Sequence, residues 1–334
     1  MTDHAVDNGA EKGGRPPIAA LPRVGFGAAA VTYPGVSTAQ AVDCLDAAWE
    51  SGMRYYDVAP MYGAGQSERL LGWMLRSKPR KEYVLSTKVG RLVRPGAPDT
   101  ERAGFDWIYD YSRDGVLSSL DESLRRLGVG SVDIVFIHDP DDHWQDALDG
   151  AWPTLAQLRD EGVIGAVGVG MTQAPMLARF IRETDIDVVL EAGVYSLLDT
   201  QARLELLPEA ERRAVAVIAA QAMHGGLIDG VKNPMFRYRP VDDEVRAKVA
   251  RIAAICHEHG VPTAAAAIQF PLGHPAVKCV LTGPGSRAQL AENLAWAATP
   301  IPPGVWARLR EEELLPPDVP VPSDDEESVA RSAQ

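Results

Sequence analysis

The sequence predicts a closed (β/α)8 barrel. Eight short apolar runs alternate with helix-like segments along most of the chain, the pattern of parallel strands buried on both faces. Three of those runs end on a residue that would be expensive to bury alone, which suits strands that finish together at one mouth. A doubly wound open sheet is the alternative. It would want a Gly-rich phosphate turn after its first strand, and RVGFGAAAV (23–31) is a poor match for one.

Taken in order, helix Thr38–Ser51 leads to strand Tyr55–Val58 and helix Ser67–Arg76, and then to strand Val84–Val89. Helix Val116–Leu127 is preceded by Asp114-Gly115 and closed by Gly128. Strand Val132–His138 and helix Asp146–Glu161 follow, the helix ending at Gly162. Strand Ala166–Gly170 lies in GVIGAVGVG (162–170), whose glycines read as a helix cap and close barrel packing. Helix Gln173–Glu183, strand Val188–Ala192, helix Glu205–Arg213 and strand Ala216–Ala220 continue the alternation. Helix Glu244–His259 stops at Gly260, and strands Ala267–Leu272 and Val277–Leu281 precede helix Arg287–Ala298. That last strand pair lacks a long helix between its members.

The expected boundaries are a polar N-terminal tail over 1–20, one barrel domain over 21–316 and an acidic, Pro-rich C-terminal tail over 317–334, both tails disordered. A net charge of −13 argues against a nucleic-acid partner. No apolar run is long enough for a membrane span, and MTDHAVDNGAEKGGRPP has no signal-peptide core. Cys44, Cys256 and Cys279 have no metal or disulfide spacing. A cytoplasmic monomer or small homo-oligomer acting on a small molecule is expected.

The chemistry is concentrated in YYDVAPMYG (55–63), VLSTKVG (84–90) and DIVFIHD (133–139). Asp57, Lys88 and His138 stand at three successive strand ends, here counted first to third, with Tyr62 in the loop after Asp57. Moving hydride to or from a carbon–oxygen group needs a proton donor or acceptor on that oxygen. A tyrosine is a poor base at neutral pH unless a nearby ammonium stabilises its phenolate. Lys88 would supply the ammonium, Asp57 would hold Lys88, and His138 would orient the substrate oxygen. Each residue alone has a plainer reading as a turn, packing or solvated group. HDPDDH (138–143) reads either as a metal cluster or as acidic residues near a helix start.

The chain resembles the aldo-keto reductase superfamily. YYDVAPMYGAGQSERLLGWML (55–75) is similar to its first signature, STKVG supplies the family lysine and FIHDPD the family histidine. The resemblance implies the tetrad Asp57, Tyr62, Lys88 and His138, with Tyr62 as acid/base, and an extended NAD(P) across the mouth. The chain is more closely similar to the aldose 1-dehydrogenases, the subgroup of L-fucose, D-threo-aldose and L-galactose dehydrogenases with a related pyridoxal dehydrogenase. This rests on YDYSRDGVLSSLDESLRRLG (109–128), HDPDD (138–142), LRDEGVIGAVGVGMTQ (158–173), YSLLD (195–199) and FPLGHPAV (270–277). Thr172 and Met223-His224-Gly225 depart from the subgroup's pattern.

Cofactor contacts are expected from Gly27, from Gly170 and Met171, and from Gly283, Pro284, Gly285, Ser286, Arg287, Gln289 and Asn293 in LTGPGSRAQLAEN. A Gly-rich turn entering a helix N-terminus suits phosphate. Gly285 stands where relatives preferring NADP carry an arginine, so NAD is weakly favoured. Trp107, Tyr109, Trp144 and His224 either wall a sugar site or only pack loops. The resemblance implies oxidation of a free aldose at C1 to the lactone. A general NADPH-dependent carbonyl reductase, a pyridoxal-type dehydrogenase and a cofactor-binding regulatory subunit are the alternatives.

Overall fold

The structure is a computed structural model that describes residues 18–93, 107–228, 230, 235–236 and 239–322. Eight parallel strands close on themselves: β1 (Val24–Gly27), β2 (Tyr55–Asp57), β3 (Val84–Val89), β4 (Ile134–His138), β5 (Ala166–Met171), β6 (Val188–Ala192), β7 (Ala216–Ala220) and β8 (Val277–Thr282). β8 pairs with β1 and completes the barrel. Because side chains alternate along a strand, every second residue points into the barrel. Tyr55, Ile134, Phe136, Val188, Ile218 and Cys279 fill that interior as an apolar plug.

Two strand assignments are corrected. Val24–Gly27 is a strand, although two glycines in four residues depress its β-propensity. The glycine at 25 is required by its neighbours: a Cβ there would lie 2.6 Å from Tyr55 and 2.8 Å from Leu281. Ala267–Leu272 is not a strand. Its alanines belong to a helix, Thr263–Gln269, followed by a 3-10 turn, Phe270–Gly273. An apolar run of this length reads equally as strand or buried helix. The strand count stays at eight, but Asp57, Lys88 and His138 end the second, third and fourth strands.

Outside the barrel lie α1 (Thr38–Glu50), α2 (Gln66–Leu75), α3 (Arg113–Leu127), α4 (Trp152–Asp160), α5 (Ala174–Glu183), α6 (Leu206–Arg213), α7 (Asp243–Glu258), α8 (Thr263–Gln269), α9 (Arg287–Ala297) and α10 (Pro303–Glu311). α1 opens on a capping box between Ser37 and Gln40, and α3 closes on left-handed Gly128. The helix expected over 146–161 is interrupted. A π-helical stretch, Ala147–Ala151, runs into α4, where Pro153 has no N–H for the ordinary ladder. An antiparallel pair, Arg91–Val93 with Trp107–Tyr109, rises from the loop after β3.

The described residues begin at Ile18 and end at Pro322, so most of both expected tails lies outside them. The first part of the C-terminal tail is packed on the body, since Val319 is buried and Asp318 pairs with Arg203 at 3.0 Å. At the strand starts, carboxylates serve stability. Asp133 accepts from Leu85 N and Arg80, and Asp187 accepts from Val167 N and Arg159.

Glu191, near the end of β6, is fully buried between barrel and helices. Its Oε2 accepts the N–H groups of Val194 and Tyr195 at 2.9 and 3.2 Å, while Oε1 has no partner. Burial outweighs those N–H groups and pushes its carboxyl up to about 8. The unfolded chain releases this proton near 4.5, the native chain only near 8, so ionisation erodes stability as pH rises between those values. Glu191→Gln removes the titration. The stability of the variant relative to wild type should therefore grow by about 1.4 kcal/mol per pH unit across this window. Urea denaturation at three pH values checks it, and a pH-independent difference would contradict it.

Candidate active site

The parity that places Tyr55 inside the barrel also places Asp57 inside, two residues nearer the mouth. Likewise Ser86 and Lys88 follow Val84, and His138 follows Ile134 and Phe136. Strand register completes the grouping, with Asp57 level with Ser86, Lys88 with Phe136 and His138 with Gly170. The apolar plug is thus topped by a polar layer.

Lys88 Nζ donates to Asp57 Oδ2 at 2.6 Å and to Val58 O at 3.1 Å. Ser86 Oγ donates to Asp57 Oδ1 at 2.7 Å and receives the Tyr55 hydroxyl at 3.0 Å. Burial, with Asp57 close by, pushes the Tyr55 phenol well above its ordinary value and keeps it a donor. The Lys88 and Asp57 side chains are only 2% and 3% exposed, so each charge depends on the other.

Tyr62 comes from the loop after β2, which turns through Gly63 and Gly65 at φ 57° and 85°. Its ring centroid is 5.1 Å from Lys88 Nζ and 6.3 Å from the His138 ring, edge-on. The Ser-Glu pair opening α2 anchors this loop. Ser67 Oγ donates to Ala28 O, and fully buried Glu68 accepts from Thr87 at 3.0 Å and Arg126 at 2.5 Å.

His138 is buried, and that burial, reinforced by Lys88 and Arg91, holds its imidazole well below the usual histidine range. The ring is therefore neutral. Its Nδ1 is buried with no hydrogen-bond partner, so a proton there would be an unsatisfied donor. The surroundings accordingly assign the proton to Nε2. The Tyr111 hydroxyl donates to His138 O at 2.7 Å and fixes the strand end. Phenol, ammonium and a neutral N–H donor around one volume can hold an oxygen and exchange a proton with it.

Ser86, Arg91, Tyr111 and Asp139 escaped the sequence reading. Ser86 carries a signal, since it shares the parity of Lys88. Arg91 and Asp139 come together only in three dimensions.

The other expected residues separate into groups. Gly27 ends β1 beside Asp57, and Gly170 pairs with His138, both at the mouth. Met171 is buried in the barrel–helix layer. Tyr109 is 46% exposed and stacks on His143 at 5.0 Å, while the Trp107 side chain lies outside the described residues. Trp144 packs on Phe180 at 4.3 Å under Arg179, and His224 is buried, bonded to Ser196 and packed on Phe236. As placed, these two rings pack against protein groups. Among the described residues, no group of three or more His, Cys, Asp or Glu side chains gathers that could hold a metal ion.

The turn after β8 fits a nicotinamide cofactor's phosphates. Gly283 and Gly27 present a face without side chains, on which a Cβ at 283 would lie 3.7 Å from Gly27 O. Ser286 caps α9 by accepting from Gln289 N, and Gln289 Oε1 accepts from Gly285 N at 2.8 Å. Asn293 is buried on the same helix. Arg287 turns away, bonded at 3.0 Å to both Asp43 and Glu50 of α1.

Residues 23–313 match the model of the aldo/keto reductase family. The chain belongs to this family. It is an oxidoreductase, and aldo/keto reductases use NAD(P)H. It is 41% identical to a D-threo-aldose 1-dehydrogenase from Pseudomonas sp. over 89% of this chain and 95% of the relative. It is 38% identical to a pyridoxal 4-dehydrogenase from Microbacterium luteolum, over 85% and 91% of the two chains. The fold matches that of an aldo-keto reductase from Bacillus halodurans in its holo form, with TM-score 0.70 and 23% identity, covering 90% and 94%. No helix among the described residues is long and apolar enough to cross a membrane.

Removing one partner of the Lys88–Asp57 pair strands the other charge. Lys88→Met should cost about 3–5 kcal/mol of stability, and adding Asp57→Asn should recover part of that loss. Chemical denaturation of both variants checks this. Equal stability of wild type and Lys88→Met would contradict a stabilising pair.

Proposed function

We propose that this reductase oxidises the C1 hydroxyl of a free aldose to the lactone with NAD(P)+, using Asp57, Tyr62, Lys88 and His138. The observation that carries the reading is the packing of Tyr62 against Lys88 and neutral His138, above a buried Asp57. The aldose dehydrogenase relative supports the substrate class. When bound, the nicotinamide accepts the hydride from the carbon. Tyr62, as the phenolate that Lys88 stabilises, takes the hydroxyl proton and becomes the neutral phenol, while the His138 Nε2 N–H holds the substrate oxygen in line. Asp57 holds Lys88 in place through the 2.6 Å ion pair. Gly27, Gly170, Gly283, Pro284, Gly285, Ser286, Gln289 and Asn293 would hold the cofactor, within a single barrel domain over 21–316.

Pyridoxal is the second reading, favoured by the 38% identical relative. Absorbance at 340 nm with free aldoses, pyridoxal and simple aldehydes tests both. Turnover of simple aldehydes alone would overturn the sugar assignment and leave a general reductase. In the active assay, Tyr62→Phe should lower turnover by about a hundredfold or more while cofactor binding persists. Retention of most activity would remove Tyr62 from the proton transfer.

The cofactor preference follows from Arg287. With its guanidinium held by Asp43 and Glu50, no free arginine fork among the described residues stands beside Gly285 to clasp a 2′-phosphate. NAD should therefore serve at least as well as NADP. A Cβ at 285 would press on Val36 at 3.1 Å and Ala30 O at 3.2 Å, so an arginine placed there is a poor test. Asp43→Asn with Glu50→Gln, which releases Arg287, should instead move the preference towards NADP. Steady-state constants for both cofactors decide it. A wild-type preference for NADP of tenfold, about 1.4 kcal/mol, would refute the assignment.

A further inference from the structure

We infer that Asp139, held by Arg91, is a specificity-determining residue that accepts a hydrogen bond from a hydroxyl on the carbon next to the reacting carbon. The inference rests on the proposed placement of the substrate oxygen at His138 Nε2. Asp139 Oδ2 lies 3.7 Å from that nitrogen, too far for a bond between them and close enough to flank the same oxygen. The same Oδ2 accepts from Arg91 Nη2 at 2.9 Å, which fixes it beside His138, and the carboxylate, 28% exposed, keeps further acceptor sites open.

The backbone points the same way. Asp139 sits at φ 41°, a left-handed conformation uncommon for a residue with a side chain, and it precedes Pro140, which restricts it further. Its N–H still donates to Gly170 O at 2.9 Å, so the ladder persists while the side chain is turned at the mouth beside His138. Strain of this kind survives where surrounding contacts impose it, and here they are numerous. The Tyr111 hydroxyl contacts the carbonyls of His138 and Asp139, and Gly90, at φ 97°, lets the chain pass Tyr111 on its way to Arg91.

Burial raises the Asp139 carboxyl above its ordinary value and Arg91 beside it opposes that shift; in its ionised form the carboxylate offers only acceptors. Beside an N–H that fixes the reacting oxygen, it selects substrates carrying an O–H one carbon away, the arrangement in free sugars and in 2-hydroxyaldehydes. A substrate lacking that hydroxyl would leave the carboxylate facing an apolar group.

The test compares matched pairs: an aldose with its 2-deoxy counterpart in oxidation, and glycolaldehyde with acetaldehyde in reduction. The aldehyde pair keeps the test valid if no sugar is oxidised, since that outcome would sink the sugar assignment alone. Wild type should favour the hydroxylated member in kcat/KM by about tenfold or more. Asp139→Ala should bring the ratio close to one. Asp139→Asn, whose side chain tolerates left-handed backbone, serves as the fold-safe variant and should lower the ratio severalfold. A purely structural Asp139 would depress both members of a pair equally. An unchanged ratio in both variants, or a wild type without the preference, would overturn the inference.

Discussion

A lysine and an aspartate, both almost wholly removed from water, face each other at 2.6 Å in the top layer of this barrel. Desolvating either alone would cost several kcal/mol, so the pair exists only because each supplies the other's counter-charge and the remaining valences are filled. Ser86, Val58 O and, through Ser86, Tyr55 do the filling. Those partners must come from β2 and β3 in one register, with the interior parity that puts Tyr55 in the plug below. A one-residue slip of either strand would turn its charge to the other face. The ion pair thus ties strand register to the site.

The same layer explains the state of His138. Burial, reinforced by one ammonium and one guanidinium nearby, keeps this imidazole neutral. A neutral ring with no acceptor at Nδ1 has one useful place for its proton, the nitrogen nearest Asp139. Lys88 therefore acts in two ways. It stands beside the Tyr62 phenol and, together with burial, holds the histidine neutral.

Much of this was legible in the chain. β6 and β7 are observed as read, because each is a compact apolar run between clear helix boundaries. Asp57, Lys88 and His138 were readable because an ionisable group ending an apolar strand is rarely placed there without a partner. β1 was hidden because its core position is a glycine, chosen for the space Tyr55 and Leu281 occupy rather than for strand propensity. The error at 267–272 has the opposite origin. A helix buried all round has no amphipathic period, and its alanines resemble a barrel strand. Arg91 and Asp139 lie 48 positions apart, and only folding of the segment after β3 brings them together. Trp144 and His224 illustrate a further limit, since aromatic identity does not say which side of a loop a ring will face.

Carboxylates at the two ends of the barrel mark where stability and chemistry divide. Asp133 and Asp187, ahead of β4 and β6, each use Oδ2 both to accept a backbone N–H and to pair with an arginine, so these carboxylates serve the fold. At the mouth, Asp57 is spent on Lys88 and Ser86, leaving the lysine directed towards Tyr62. Asp139 differs in its backbone: Arg91 fixes its Oδ2, and a left-handed conformation sets that oxygen beside His138. A side chain held in such a conformation, with acceptor capacity still open beside the donor nitrogen, is where this barrel has room to choose among substrates. The proton transfer assigned to Tyr62 uses no atom of Asp139, so substitution there should alter what is recognised and leave the Lys88–Asp57 pair in place.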